Sequence, residues 1–126
     1  MTQSLEDYLE MVSFLADEGE VRVTDIASRL DVSKPSVLTA LKTLEERGLL
    51  EHERYRSVML TKKGAVMAAE IRDRHDFLTL FLRNVVGVSS ETAEKDACKM
   101  EHLLSPETMQ KLKALVKRME NQVPQV

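Results

Sequence analysis

Leu5, Leu9, Val12 and the pair Phe14–Leu15 recur at helical spacing, which predicts a first helix over about residues 4–16. Val23-Thr24-Asp25-Ile26-Ala27 opens a short second helix, with Thr24 as its expected N-cap ahead of Ile26, Ala27 and Leu30. Asp31-Val32-Ser33 then breaks the pattern. Ser33 is placed to cap a third helix with Lys34 and Pro35 in its first turn, where proline forfeits no helical hydrogen bond. Val37, Leu38, Leu41 and Leu44 are expected to face inward, and Gly48 to stop that helix near Arg47. Between Leu49 and Thr61 the pattern changes. Leu49-Leu50, a polar stretch around Tyr55-Arg56-Ser57, and Val58-Met59-Leu60 predict two short strands around a turn. After Lys62-Lys63-Gly64 a long helical stretch runs to about Val86, where Gly87 ends it. Ser90 and Ser105-Pro106-Glu107 read as caps of two further helices, roughly residues 90–103 and 106–121, before a frayed tail over residues 122–126. The expected fold is mainly α, divided into residues 1–63 and 64–126 and bridged by the long helix.

Composition narrows the class. With 43% hydrophobic and 31% charged residues, the 126-residue chain is expected neither to be disordered nor to live in a membrane. No apolar run approaches the roughly 18 residues of a membrane span, and the opening MTQSLEDYLE is acidic, so a cytoplasmic location is expected. The lone cysteine, Cys98, cannot form an intramolecular disulfide, in keeping with a reducing compartment.

A short helix, a tight turn, a capped second helix and a two-stranded ribbon is the layout of a winged helix-turn-helix. Such a unit places the second helix in the major groove of double-stranded DNA. The residues predicted to read DNA are Lys34, Ser36, Thr39 and Lys42 on that helix, with Arg54, Tyr55 and Arg56 on the ribbon; lysine and arginine engage phosphates and guanine edges, serine and threonine either. Charge is distributed accordingly. Residues 34–63 hold seven Lys/Arg and four Asp/Glu, whereas residues 1–33 hold two and eight.

A second constellation carries metal chemistry. Asp7 and Glu10, three apart, project from one face of the first helix. Cys98, Glu101 and His102 fall at i, i+3 and i+4 on a later helix, so sulfur, oxygen and nitrogen donors share a face; His75 adds an imidazole from the long helix. Taken singly, each has an ordinary structural reading, Cys98 as a small buried hydrophobe and His75 as a solvated surface residue. Together they predict a metal site. Carboxylate and imidazole suit Mn²⁺ and the thiolate favours softer ions, so Fe²⁺ or Mn²⁺ is expected, with Zn²⁺ binding in vitro on affinity alone. The spacing leaves open whether Glu94, one turn before Cys98, joins His75 in a second site.

These residues resemble those of the diphtheria-toxin-repressor family of iron- and manganese-dependent regulators, in particular its short, manganese-transport branch. The resemblance runs from Leu5-Glu6-Asp7-Tyr8-Leu9-Glu10 through Val23-Thr24-Asp25-Ile26-Ala27 and Val32-Ser33-Lys34-Pro35-Ser36-Val37 to Leu60-Thr61-Lys62-Lys63-Gly64, Arg74-His75 and Glu101-His102-Leu103-Leu104-Ser105. It implies a homodimer with an N-terminal winged helix-turn-helix and a C-terminal helical dimerisation and metal-binding domain. It further implies metal-activated repression at palindromic operators of metal-uptake genes. By that resemblance Asp7, Cys98, Glu101 and His102 correspond to the principal effector site, His75 to a ligand of the neighbouring site and Glu10 to a carboxylate ligand of the manganese branch. Cys98 stands where the manganese branch has a glutamate and the iron branch a cysteine, so the chain is a hybrid at the deciding position. The sequence ends soon after the last predicted helix, and the iron branch's SH3-like domain is not expected. Two rival readings are a winged-helix regulator that answers to the redox state of Cys98 or to a small molecule, and a metalloenzyme with Glu101 as base. For an enzyme the sequence offers no nucleophile motif and no phosphate-cradling glycine loop.

Overall fold

The structure, a computed structural model, describes residues 1, 3–52 and 57–122. The elements are α1 (Gln3–Glu18), α2 (Val23–Leu30), α3 (Lys34–Glu46), β1 (Leu50–His52), β2 (Val58–Leu60), α4 (Lys62–Phe81), a π-helical turn (Leu82–Val86), α5 (Ser90–Met100) and α6 (Pro106–Gln122). The expected frayed tail falls almost entirely on residues 123–126, outside the described set. The chain divides into two compact units, Met1–Arg72 and Asp73–Val126, with the division inside α4.

In the first unit, Leu9, Val12, Ile26, Val37, Leu41, Leu44, Leu49, Leu50 and Ile71 are all 2% exposed or less and form one core. Each such side chain contributes about 1.5–3 kcal/mol relative to exposure. Leu38 is a correction, because it is 47% exposed. At about 100° per residue, neighbours Val37 and Leu38 cannot both point into a core already contacted by Ala40, Leu41 and Leu44. Ser33 caps α3 as expected, its Oγ accepting from the Ser36 amide at 3.2 Å. Thr24 does not cap α2. That helix begins two residues earlier than a Thr24 cap requires, at Val23, with extended Arg22 at the N-cap position and no side-chain cap bond. Asp31, in the left-handed region at φ 53°, ends α2; the amide of Val32 reaches back to the Ala27 carbonyl at 3.0 Å, which makes the turn between α2 and α3 tight.

The hairpin pairs antiparallel, Leu50 with Leu60, Glu51 with Met59 and His52 with Val58. Alternation along each strand leaves Leu50 and Val58 buried and Glu51 and Met59 exposed. Gly64, in the first turn of α4, is buried where a Cβ would overlap the Leu49 carbonyl oxygen, so only glycine lets α4 start against the segment that joins α3 to β1.

In the second unit Leu78, Leu82, Ala93, Ala97 and Met109 form the core, with Phe77, Phe81, Leu104 and Leu112 packed around it. Ala93 and Ala97, four apart and both fully buried, present the small face of α5. The cap of α5 is Ser89, not Ser90. The Ser89 Oγ accepts from the Thr92 amide at 3.1 Å, and the helix closes at Met100 rather than near residue 103. Ser105 caps α6 in the same way, accepting from the Thr108 amide at 3.1 Å. Gly87, at φ 89°, terminates the π-helical turn by returning its amide to the Leu82 carbonyl.

Candidate metal centre

Glu101 is the pivot of the second unit. It sits at the C-terminal end of α5 and its side chain is 0% exposed, although a buried carboxylate is costly without partners. Two imidazoles lie against it. Glu101 Oε2 lies 2.7 Å from His75 Nδ1, and Glu101 Oε1 lies 3.1 Å from His102 Nε2, on a side chain 1% exposed. The other ring nitrogen of His75, Nε2, is 2.7 Å from Glu94 Oε1, at the more exposed end of the row. The result is an alternating series, Glu94, His75, Glu101, His102, built from α4, α5 and the residues just after α5.

His75 is held between two carboxylates. Burial alone would lower its pKa; the hydrogen bond to Glu94 and the charges of Glu101 and Glu94 outweigh burial and raise it above 6.5. Such a set of oxygens and imidazole nitrogens is what Mn²⁺, Fe²⁺ and Zn²⁺ coordinate. Ligand atoms around one such ion lie roughly 3 Å apart, so the separations at Glu101 need little change to accept a cation. The donor set therefore fits a divalent transition metal.

Of the residues predicted from sequence, the second unit brings His75, Glu101 and His102 together. Cys98 lies on α5 one turn before them and is exposed. Asp7 and Glu10 stand on α1 of the first unit, both partly buried. The sequence leaves Glu94 open: its spacing to Cys98 and Glu101, four and then three residues along one helix face, marks it as a candidate without giving its role.

On α3, Lys34, Ser36, Thr39 and Lys42 are all exposed, and the buried stripe Val37, Ala40, Leu41, Leu44 lies opposite the Thr39–Lys42 side. The two hydroxyls already have local partners. Ser36 Oγ lies 2.8 Å from Ser33 Oγ, and Thr39 donates to the Pro35 carbonyl at 3.0 Å. The lysines are the long reaching groups of this helix. Arg54, Tyr55 and Arg56 lie outside the described residues.

A helix-turn-helix with a β-ribbon, joined in one chain to a buried carboxylate–imidazole cluster, defines a DNA-binding protein with a metal-binding second unit. Comparison with known proteins agrees. Residues 1–58 match the family model described as iron dependent repressor, N-terminal DNA binding domain, and residues 61–124 match iron dependent repressor, metal binding and dimerisation domain. The chain belongs to the iron-dependent repressor family.

It is 46% identical over 106 residues to a protein of Escherichia coli O6:H1 named transcriptional regulator MntR, covering 83% of this chain and 68% of that one. It is 34% identical over 125 residues, 98% of this chain and all of the other, to an HTH-type transcriptional regulator of Methanocaldococcus jannaschii. A solved manganese-dependent transcriptional repressor in complex with manganese superposes with a TM-score of 0.79 at 28% identity, over 90% of this chain and 52% of that one. The chain thus spans about half the length of that repressor. No helix among the described residues is long and apolar enough to cross a membrane.

Proposed function

We propose that this chain is a cytoplasmic, homodimeric transcriptional repressor, not an enzyme, that binds palindromic operators of metal-uptake genes when Fe²⁺ or Mn²⁺ is bound. The observation that carries the reading is the fully buried Glu101 flanked by His75 and His102 in a chain that also presents a capped recognition helix. The proposed ligands are Asp7, Glu10, His75, Cys98, Glu101 and His102, with Zn²⁺ as an in vitro substitute. The family match, the similarity to a protein named MntR and the manganese-bound relative support this assignment. The proposed DNA-reading residues are Lys34, Ser36, Thr39 and Lys42, with Arg54 and Arg56 on the ribbon.

A bound cation would supply positive charge among carboxylates that otherwise repel one another. Asp7 and Glu10 precede the helix-turn-helix in the chain, while His75, Cys98, Glu101 and His102 follow it. A cation held by residues of both groups would couple metal binding to the order of α3 in each subunit and would lower the ordering cost that the metal-free dimer meets on DNA. A coupling of about 1–3 kcal/mol corresponds to a gain in operator affinity of about 5–150-fold. Two α3 helices related by a dimer axis meet half-sites about one helical turn apart, or a multiple of it.

The test is an anaerobic titration of the reduced protein with Fe²⁺, Mn²⁺ and Zn²⁺ that reads bound metal per chain, with Cys98→Ala alongside. Uptake of Fe²⁺ or Mn²⁺, weakened by the substitution, supports the assignment. Operator binding that follows peroxide in metal-free buffer, and ignores all three ions, transfers the function to Cys98 oxidation.

A further inference from the structure

Glu94 belongs to none of the ligand sets proposed above, yet its carboxylate is 2.7 Å from His75 Nε2 while Glu101 is 2.7 Å from the opposite ring nitrogen, Nδ1. An imidazole can offer a lone pair from only one nitrogen while the other carries a proton. Which nitrogen does so is set by the partner of the other. Both carboxylates are acceptors at the same distance, so the choice falls when a cation beside Glu101 would take the place of the Nδ1 hydrogen; Glu94 would then accept from Nε2–H and leave the lone pair on Nδ1. The Nδ1 atom is the one turned toward buried Glu101, whereas Nε2 points toward the more exposed end of the row, where the Glu94 side chain is 63% exposed.

We propose that Glu94 is the positioning residue of the metal centre: by accepting from His75 Nε2–H it fixes the ring so that Nδ1 presents its lone pair beside Glu101. The inference rests on the metal-binding reading above and adds to it the ligating atom of His75 and the group that holds it. Histidines that bind metals generally donate their second N–H to a carboxylate, carbonyl or water, and loss of that partner typically weakens metal binding about 10–100-fold. Glu94 is well placed to be this partner. It projects from the middle of α5, where the helix capped at Ser89 is fully formed, and its distance to His75 matches a charge-assisted bond. The Glu94 carboxylate is also the exposed member of the row, so its replacement removes little packing.

The experiment compares wild type, Glu94→Ala and Glu94→Gln in the full chain. Mn²⁺ affinity and stoichiometry are read by competition with a chromophoric chelator. The His75 ring is read by long-range ¹H–¹⁵N NMR of the Zn²⁺-loaded protein, which is diamagnetic. Expected are Nδ1 metal-bound and Nε2 protonated in wild type, a loss of about 10–100-fold in Mn²⁺ affinity in Glu94→Ala at unchanged stoichiometry, and partial rescue in Glu94→Gln, whose amide oxygen still accepts. Three results overturn the inference: Nε2 as the metal-bound atom, Glu94→Ala with wild-type affinity, or Glu94→Ala with one fewer ion per chain, which makes Glu94 a ligand itself. A wild-type chain that takes up neither ion overturns the metal-binding reading together with this one. Circular dichroism of both variants separates these outcomes from misfolding.

Discussion

Glu101→Gln changes one atom type at the pivot of the second unit and conserves the side chain's volume. The structure gives Glu101 two imidazole contacts, at 2.7 and 3.1 Å, in a site with 0% exposure. A hydrogen bond to a charged group contributes about 1.5–3 kcal/mol and a neutral one about 0.5–1.5, so exchanging the carboxylate for an amide costs about 1 kcal/mol at the hydrogen bond to His75. Two effects limit the total. A neutral amide is cheaper to bury than a carboxylate, and its oxygen can still accept from His75. In chelator-treated buffer at pH 7.5 the variant should therefore lose about 1 kcal/mol, or about 3–6 °C in melting temperature for a chain of this size. Its metal response should suffer far more, because a proposed ligand oxygen and its charge are gone. The gain of about 5–150-fold in operator affinity should fall to about 1. Thermal melts by circular dichroism and fluorescence anisotropy of a labelled operator, with and without Mn²⁺, measure both quantities. A loss above about 3 kcal/mol without metal would make Glu101 a structural residue, and an intact Mn²⁺ response would remove it from the metal centre.

The raised pKa of His75 predicts that its protonated form stabilises the metal-free fold fully below pH 6.5, and that this contribution is lost as the pH rises through the raised folded-state value. Urea melts across that window should show wild type losing stability relative to His75→Gln; parallel curves contradict the assignment. Metal affinity should move the opposite way, rising with pH as the proton on His75 becomes easier to displace. Gly64→Ala must push α4 off the Leu49 carbonyl, and should cost about 1–3 kcal/mol or more in a urea melt. A wild-type midpoint would mean that α4 does not start where it is placed. Lys42→Ala should weaken operator binding for all sequences alike and reduce the slope of log affinity against log salt by about 1; an unchanged slope removes Lys42 from the phosphate backbone.

What the sequence revealed follows from how local each signal is. The helix-turn-helix was legible because its determinants lie within a few residues of one another: Ser33 and Pro35 define the start of α3, and alternation in Val58-Met59-Leu60 defines a strand half-buried on one face. Small errors arose where adjacent residues competed for one role. Ser89 and Ser90 are equally good caps by type, and only the hydrogen bond to the Thr92 amide decides between them. Hydrophobicity alone turns Leu38 inward, whereas helical geometry rotates it off the stripe defined by Val37, Leu41 and Leu44. The π-helical turn has no comparable sequence signal.

At the metal centre, the one-turn spacing of Cys98, Glu101 and His102 is visible in any listing of residues, because a helix converts i, i+3 and i+4 into a shared face. The tie between His75 and Glu101 is not, since 26 residues separate them and only the packing of α4 against the end of α5 brings them within 2.7 Å. Glu94 was the least legible. Its role depends on which nitrogen of a distant histidine it faces, a property of side-chain geometry that no spacing encodes.

The central claim is that metal controls DNA binding. Operator affinity of the reduced chain, measured anaerobically at fixed ionic strength with chelator, Fe²⁺ or Mn²⁺, tests it most directly. The account predicts a gain of about 5–150-fold with Fe²⁺ or Mn²⁺ that disappears in Glu101→Gln. Tight binding in chelator, unchanged by either ion, would contradict it and leave the buried Glu101 cluster as a purely structural feature of the second unit.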